Sequence, residues 1–378
     1  MRTAPLVRRE YVVPSAKLPD YYEALQYLHK LNQDVFATLH FQSFENEILE
    51  FFLEAKRLET SPSDEEVKEF LKRLTIKPVE LIRVFAGVSG ARVKGDFPLV
   101  LGPYTLYDKE RHGEQLELAS YNLAKATNMD LEPFSTLICV EFAGRDCLKI
   151  RERATDTFER FENVVSFMVN NRTNGSGVRV STGATRAQHL YTFAPSGDKT
   201  VAMRQLDIGA WVTIDDPYFT KAEFGHQYIW NLLAQDEGSR NQIQKRILRA
   251  IDWAGQALHE RSSANALLKS AIAIEALLSH SKDQVVKTIS EYTAQICGRS
   301  VEGRLEVEKH MKLLYATRSN LVHGSSSQAT RDEAQAFLNY TTTSIERFLV
   351  DKDLQALTTE SDMVSHFAQL RYSAPSSD

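Results

Sequence analysis

The sequence predicts an α+β chain: a helical and mixed N-terminal part followed by an all-α C-terminal bundle. Three observations carry this reading. Apolar residues recur at helical spacing from about 18 to 85. Glycine and β-formers crowd the chain from Gly87 onward. From about 226 a helical period resumes, with capping signals and short connections, as in an up-down bundle. The chain divides accordingly into 1–86, 87–225 and 226–378.

In the first segment Tyr22, Leu25, Leu28 and Leu31 fall on a helical row, and Phe51, Phe52, Leu53 and Leu58 continue the apolar pattern. Ser61 or Ser63 starts a further helix, with Asp64, Glu65 and Glu66 in its first turn. Val67, Phe70, Leu71 and Leu74 form its apolar face. In the middle segment turns at Gly90, Gly95 and Gly102-Pro103 separate strands near 91–94, 97–101 and 104–108. Another strand is expected over Thr136–Phe142, then a helix with Phe158, Phe161, Val165 and Met168 on one face. The Asn-rich stretch 170–177 reads as a loop, with strands near 178–182, 189–194 and 209–214 beyond it. Gly87-Val-Ser-Gly-Ala-Arg lacks the phosphate-loop spacing, and Ser196-Gly-Asp-Lys-Thr lacks the earlier glycine.

The third segment reads as five helices. Ile243, Ile247, Ile251, Ala254 and Leu258 mark the first, and Leu267, Ala271, Ile274 and Leu278 the second. Ser281 and Gln284 suggest a capping box for a third that runs to Gly298. A fourth runs from about 301 toward 320, and Thr330 with Glu333 caps a fifth. The last residues, from 372, are expected to fray.

Composition bounds the function. The chain has 378 residues, 43% hydrophobic and 25% charged, an ordinary globular balance. No apolar run is long enough to span a bilayer, and MRTAPLVRRE is not followed by the apolar core of a secretory signal. Cys139, Cys147 and Cys297 are odd in number and scattered, without metal-ligand or disulfide spacing. The reading is a cytoplasmic protein with no membrane partner, no cofactor and no metal. Net charge is −5, but Ser239–Ser325 holds 13 Lys and Arg against 8 Asp and Glu, about +5, leaving about −10 elsewhere. A basic module on an acidic chain suits contact with RNA at one site.

The chemistry concentrates in Arg318-Ser319-Asn320-Leu-Val-His323-Gly324, at the end of the fourth helix. Val307, Met311 and Leu314 define an apolar stripe on which Arg318 is the next position. An arginine there needs an anion, either a carboxylate or a phosphate. His323 can move a proton near neutral pH. It lies five residues on, about 140° around an ideal helix, so one straight helix does not aim both side chains at one point. Gly324 is a natural helix stop, and a frayed last turn would let His323 swing toward the arginine. Glu275, on the edge of the second helix's stripe, needs a partner if partly buried and can pair with Arg318 or orient His323. Lys269, Lys312 and Tyr315 share helical spacing with the motif and are candidate RNA contacts.

The segment Arg318–Gly324 resembles the R-x4-H signature of HEPN domains, especially the Apea-like group of prokaryotic defence ribonucleases. Ala271-Ile-Ala-Ile-Glu275-Ala-Leu-Leu278 is similar to the second HEPN helix with its embedded acid. The resemblance covers roughly 226–350. It implies a metal-independent endoribonuclease with Arg318 and His323 catalytic, working as a homodimer in which the motifs of two protomers meet in one cleft. It also implies a role in abortive antiviral defence, with the N-terminal region sensing a phage-derived or nucleotide trigger. The family often has Asn, Asp or His directly after the arginine; here Ser319 stands there and Asn320 follows. That departure motivates the alternative, a non-catalytic HEPN scaffold or sensor binding a nucleotide or RNA.

Overall fold

The computed structural model describes residues 18–76, 78–119, 135–169, 178–181, 189–193, 199–203, 212–214, 217–280, 283–324 and 328–372. The N-terminal decapeptide, the 170–177 loop, residues 196–198 of the Ser196 motif, the 209–211 part of a predicted strand, Ser281 and the end from 373 lie outside them. The architecture is mixed α+β, and the chain falls into two compact units. One comprises Met1–Val84 and Glu141–Ala154, the other Phe85–Val140 and Thr155–Asp378.

The first unit contains α1 (Leu18–Leu31), α2 (Gln33–Thr38), α3 (Phe41–Arg57) and α4 (Asp64–Thr75). Leu25, Val35, Leu39, Phe44, Ile48, Phe70 and Leu74 form its core. Of the row predicted on α1 only Leu25 is buried, while Tyr22, Leu28 and Leu31 face outward. Ser63 caps α4, its side chain accepting from the Glu66 N–H while its own N–H donates to the Glu66 carboxylate, a full capping box. His29 is buried among the rings of Phe36, Phe41 and Phe44, its Nε2–H donating to the Leu39 carbonyl. Burial holds its pKa below the usual range.

The helical reading of 18–85 ran too far. Pro78 follows α4, and strand β1 (Glu80–Ser89) begins at Glu80. Proline disfavours helix at the residue before it, and Leu-Ile-Arg-Val-Phe over 81–85 is rich in β-formers.

The remaining strands are β2 (Ala91–Arg92), β3 (Leu99–Leu101), β4 (Tyr104–Asp108), β5 (Thr136–Gly144), β6 (Arg179–Ser181), β7 (His189–Phe193), β8 (Lys199–Met203) and β9 (Val212–Thr213). A five-stranded sheet has the order β3-β4-β5-β1-β6. β3–β4, β4–β5 and β1–β6 pair antiparallel. β7 pairs with β8, and β2 with β9. Each predicted strand overlaps an observed one; β5 runs past the predicted Phe142 to Gly144, and among the described residues the others are no longer than predicted. Strand β8 and helix α5 (Gly113–Ala119) were not anticipated. Helix α6 (Cys147–Val169) buries Phe158, Phe161, Val165 and Met168, the face predicted for it.

The C-terminal helices are α7 (His226–Ala234), α8 (Gln242–Leu258), α9 (Ser263–Leu278), α10 (Val285–Cys297), α11 (Val301–Val322), α12 (Arg331–Val350), α13 (Lys352–Gln355) and α14 (Glu360–Tyr372). Capping boxes at Asn241/Gln244 and Thr330/Glu333 start α8 and α12. The box expected at Ser281 is not how α10 starts. Gln284 is itself the N-cap, left-handed at φ 57° with no side-chain cap bond. Its amide is therefore not in the first turn, where a capping box requires it. Arg246 on α8 donates to the Ala276 and Leu277 carbonyls that end α9 and pairs with Glu360 at the start of α14. These carbonyls have no partner inside their own helix.

Helix α8 passes close to α6. A Cβ at Gly255 would lie 2.2 Å from the Asn163 carbonyl oxygen, so only glycine permits this approach. Nearby, Asn163 donates to Asp252 at 2.6 Å. The C-cap of α8, His259, ends the helix in a three-element chain. Arg179 Nη2 of β6 donates to its Nδ1 at 2.7 Å. Its Nε2 lies 2.9 Å from Ser166 Oγ and 3.0 Å from Arg179 Nη1, and the Ser166 hydroxyl donates to the Glu162 carbonyl at 2.7 Å. With Nδ1 as the acceptor the imidazole is neutral. Burial first, then the charges of Arg179 and Lys269, push its pKa down to about 3.

An unfolded chain protonates this histidine near 6.5. The stability it supplies is present above that pH and is lost as pH falls from about 6.5 toward 3. Urea denaturation of His259→Gln should show the loss between pH 7 and pH 4 reduced by on the order of 2 kcal/mol relative to wild type. An unchanged pH slope would rule out this network as the titrating element.

Candidate functional site

The site is built where α11 lies against α9. Ser300 caps α11, its side chain accepting from the Gly303 N–H. Met311 and Leu314 are fully buried, Val307 is half-buried, and Arg318 continues that row toward the helix end. Arg318 meets an anion from α9: its Nη2 lies 3.3 Å from Glu275 Oε1, with side chains 30% and 26% exposed. The contact uses one edge of the guanidinium. Burial raises the Glu275 pKa above the usual carboxylate range, while Arg318 and the Tyr315 hydroxyl oppose the rise. Of the two partners the sequence offered Glu275, the structure selects Arg318.

Tyr315, a candidate RNA contact by spacing, is inside the bundle. It is 4% exposed, with its ring edge-on to Phe337 at 5.4 Å between centroids. Burial and the Glu275 charge push its pKa well up. Its hydroxyl faces the carboxylate rather than solvent.

His323 ends the helix. Its backbone N–H bonds the Ser319 carbonyl at 3.0 Å, so the last turn is closed rather than frayed, and Gly324 then turns left-handed at φ +74°. The frayed turn imagined from the sequence is therefore absent. The glycine stops the helix after the histidine, not before it, because its left-handed geometry takes effect only at its own position. The imidazole is exposed, as are Ser319 and Asn320. On an ideal helix His323 lies about 140° from Arg318, so within one chain the half-buried guanidinium and the exposed ring occupy different sides of α11.

The two lysines are engaged with carboxylates. Lys269 pairs with Glu260 at 2.5 Å and Lys312 with Glu308 at 2.5 Å. Lys269 precedes Glu275 by six residues, about 9 Å along the helix axis, and adjoins His259. One contributor was missed. Thr317 donates to Glu333 at 2.8 Å, tying the last turns of α11 to the capping box of α12. The Thr330/Glu333 spacing was legible, but nothing in it marks the second use of that glutamate. Among the described residues no three His, Cys, Asp or Glu side chains group as metal ligands, and no helix is long and apolar enough to cross a membrane.

No protein-family model, no curated protein and no solved structure matches this chain.

The Arg318–Glu275 pair makes a testable statement about pH. Arg318→Ala removes the charge that opposes the rise of the Glu275 pKa. A carboxyl whose folded pKa is raised costs stability as pH climbs through its unfolded value. The variant should lose roughly 1–2 kcal/mol at pH 7 and less as the pH falls toward 4 and protonation of Glu275 weakens the pair. Equal losses at both pH values, by chemical denaturation, would remove the pair as the cause.

Proposed function

We propose that this protein is a metal-independent HEPN endoribonuclease of the cytoplasm acting in abortive antiviral defence. The observation that carries the reading is an arginine held by one edge, with an exposed histidine closing the same helix. Arg318 keeps donors beyond the one facing Glu275, and a guanidinium fork matches phosphate geometry. His323 is open to solvent and has no metal-ligand neighbours among the described residues. Around them the segment Ser239–Ser325 carries a net charge of about +5, which favours a polyanion.

In the proposed reaction the ribose 2′-oxygen attacks the adjacent phosphorus and gives its proton to one histidine. The 5′-oxygen leaves and takes a proton from a second. Arg318 stabilises the charge that grows on the equatorial oxygens. The products are a 2′,3′-cyclic phosphate and a 5′-hydroxyl, and only RNA has the required hydroxyl. Two histidines call for two protomers. A homodimer also answers the separation of Arg318 and His323 around α11, since the histidine of one protomer can meet the arginine of the other. Leu305 and Leu313 on α11 are 63% and 60% exposed, apolar surface of the kind a second copy can cover. The sensing role of the first 225 residues rests on their net acidic charge.

The second reading, a non-catalytic HEPN scaffold or sensor for a nucleotide or RNA, draws on Ser319 in the place after the arginine. Lys312 and Lys269, each neutralised by a glutamate, also favour it over tight RNA binding.

Purified protein incubated with total cellular RNA and EDTA should yield fragments with cyclic-phosphate ends. His323→Ala and Arg318→Ala should each be slower by about a hundredfold or more. Cleavage by both variants at the wild-type rate would sink the ribonuclease reading, whereas RNA binding without cleavage by any form would favour the second. In cells, wild type should protect against phage and Arg318→Ala should not; equal protection by both would overturn the defence role.

A further inference from the structure

Tyr315 combines three properties that a residue serving only as packing does not need. Its ring is buried against Phe337. Its hydroxyl is shielded from solvent and makes no fully formed hydrogen bond within the described residues. The charges acting on that hydroxyl are those of Glu275 and Arg318. A phenylalanine would fill the same volume without the cost of a buried hydroxyl lacking a full hydrogen bond. The oxygen therefore sits where it costs stability and where it can reach the anion that holds Arg318.

The geometry points to Tyr315 as a positioning residue, a reserve donor that secures Glu275 when a phosphodiester engages Arg318. This rests on the phosphate-binding role given to Arg318 above. In the free protein Glu275 has the guanidinium for its main compensation, 3.3 Å away, and the Tyr315 hydroxyl already lends it weaker support. A phosphate on the outer edge of the guanidinium draws away part of that compensation. The half-buried carboxylate then needs another donor, and an O–H to a carboxylate is among the stronger hydrogen bonds. With Glu275 held from behind by Tyr315, Arg318 stays aimed outward while charge grows on the phosphorus. Tyr315 would thus act through two side chains without touching RNA. The titratable groups that act on Glu275 are Arg318 and Tyr315, both from α11; among the described residues none from α8, α10 or α12 contributes.

The test is Tyr315→Phe, which keeps the packing, read in two independent ways. The first is a 13C NMR titration of the Glu275 carboxyl in the wild type and the variant. Removing a donor to the charged form should move the Glu275 midpoint upward. An unmoved midpoint overturns the proposal whether or not the protein cleaves RNA. The second is steady-state cleavage. The variant should lose roughly tenfold in kcat with KM unchanged, and on a Glu275→Gln background the same change should have no further effect. If wild type cleaves and Tyr315→Phe cleaves equally well, the positioning role is wrong even with a moved midpoint. If wild type does not cleave, the ribonuclease reading fails on its own account, and the titration alone decides whether Tyr315 secures Glu275.

Discussion

The bundle depends on one helix that is buried on most of its circumference. Helix α9 lies against α8, α10, α11 and α12, and Leu267, Ser270, Ala271, Ala273, Ile274, Leu277 and Leu278 are sealed from solvent. Such a helix has to be largely apolar, with small residues where its neighbours come closest, since they approach from several sides. Under that constraint a single carboxylate on α9 is conspicuous. Glu275 can remain only if something compensates it, and the compensation comes from Arg318 on α11. The packing of α9 thereby sets where Arg318 stands, and through it where an external anion could be met.

Much of this was legible in the sequence. The helical rows of α8, α9, α11 and α12 were legible, with the cap of α12 at Thr330, and so was the burial of Phe158, Phe161, Val165 and Met168 on α6, because periodicity reports directly on which face is inside. What escaped was set by long-range contacts or by local backbone geometry. Strand β1 was taken as helix because its apolar run is continuous, a pattern that buried strands and helices share until a proline separates them. The left-handed Gln284 replaced a plausible capping box, since the box pattern names residues but not their φ. At the site, Glu275 was recognised as an acid in need of a partner, but only three-dimensional proximity chose between Arg318 and His323. Tyr315 was misjudged for a related reason. Helical spacing put it near the motif without telling that the side it occupies faces inward.

The two histidines at helix ends show how differently one residue type can be used. His259 at the end of α8 is enclosed by Arg179 and Ser166, and its environment excludes the charged form. His323 at the end of α11 has its backbone fixed by Ser319 and its ring left in solvent. The first holds β6, α6 and α8 together inside one unit. No hydrogen bond from the ring of the second is seen among the described residues, and it is open to whatever approaches that end of α11.

The pairing of Arg246 with Glu360 has a consequence in time as well as space. The two residues are 114 positions apart, and α10, α11 and α12 lie between them. As the chain leaves the ribosome, α8 and α9 can form their hairpin early. The arginine that closes the end of α9 nevertheless stays without its acid until α14 has been made. Completion of the bundle is thus deferred until the segment carrying Glu360 has been made. The helix that carries Arg318 and His323 emerges into a scaffold that is still open at one end.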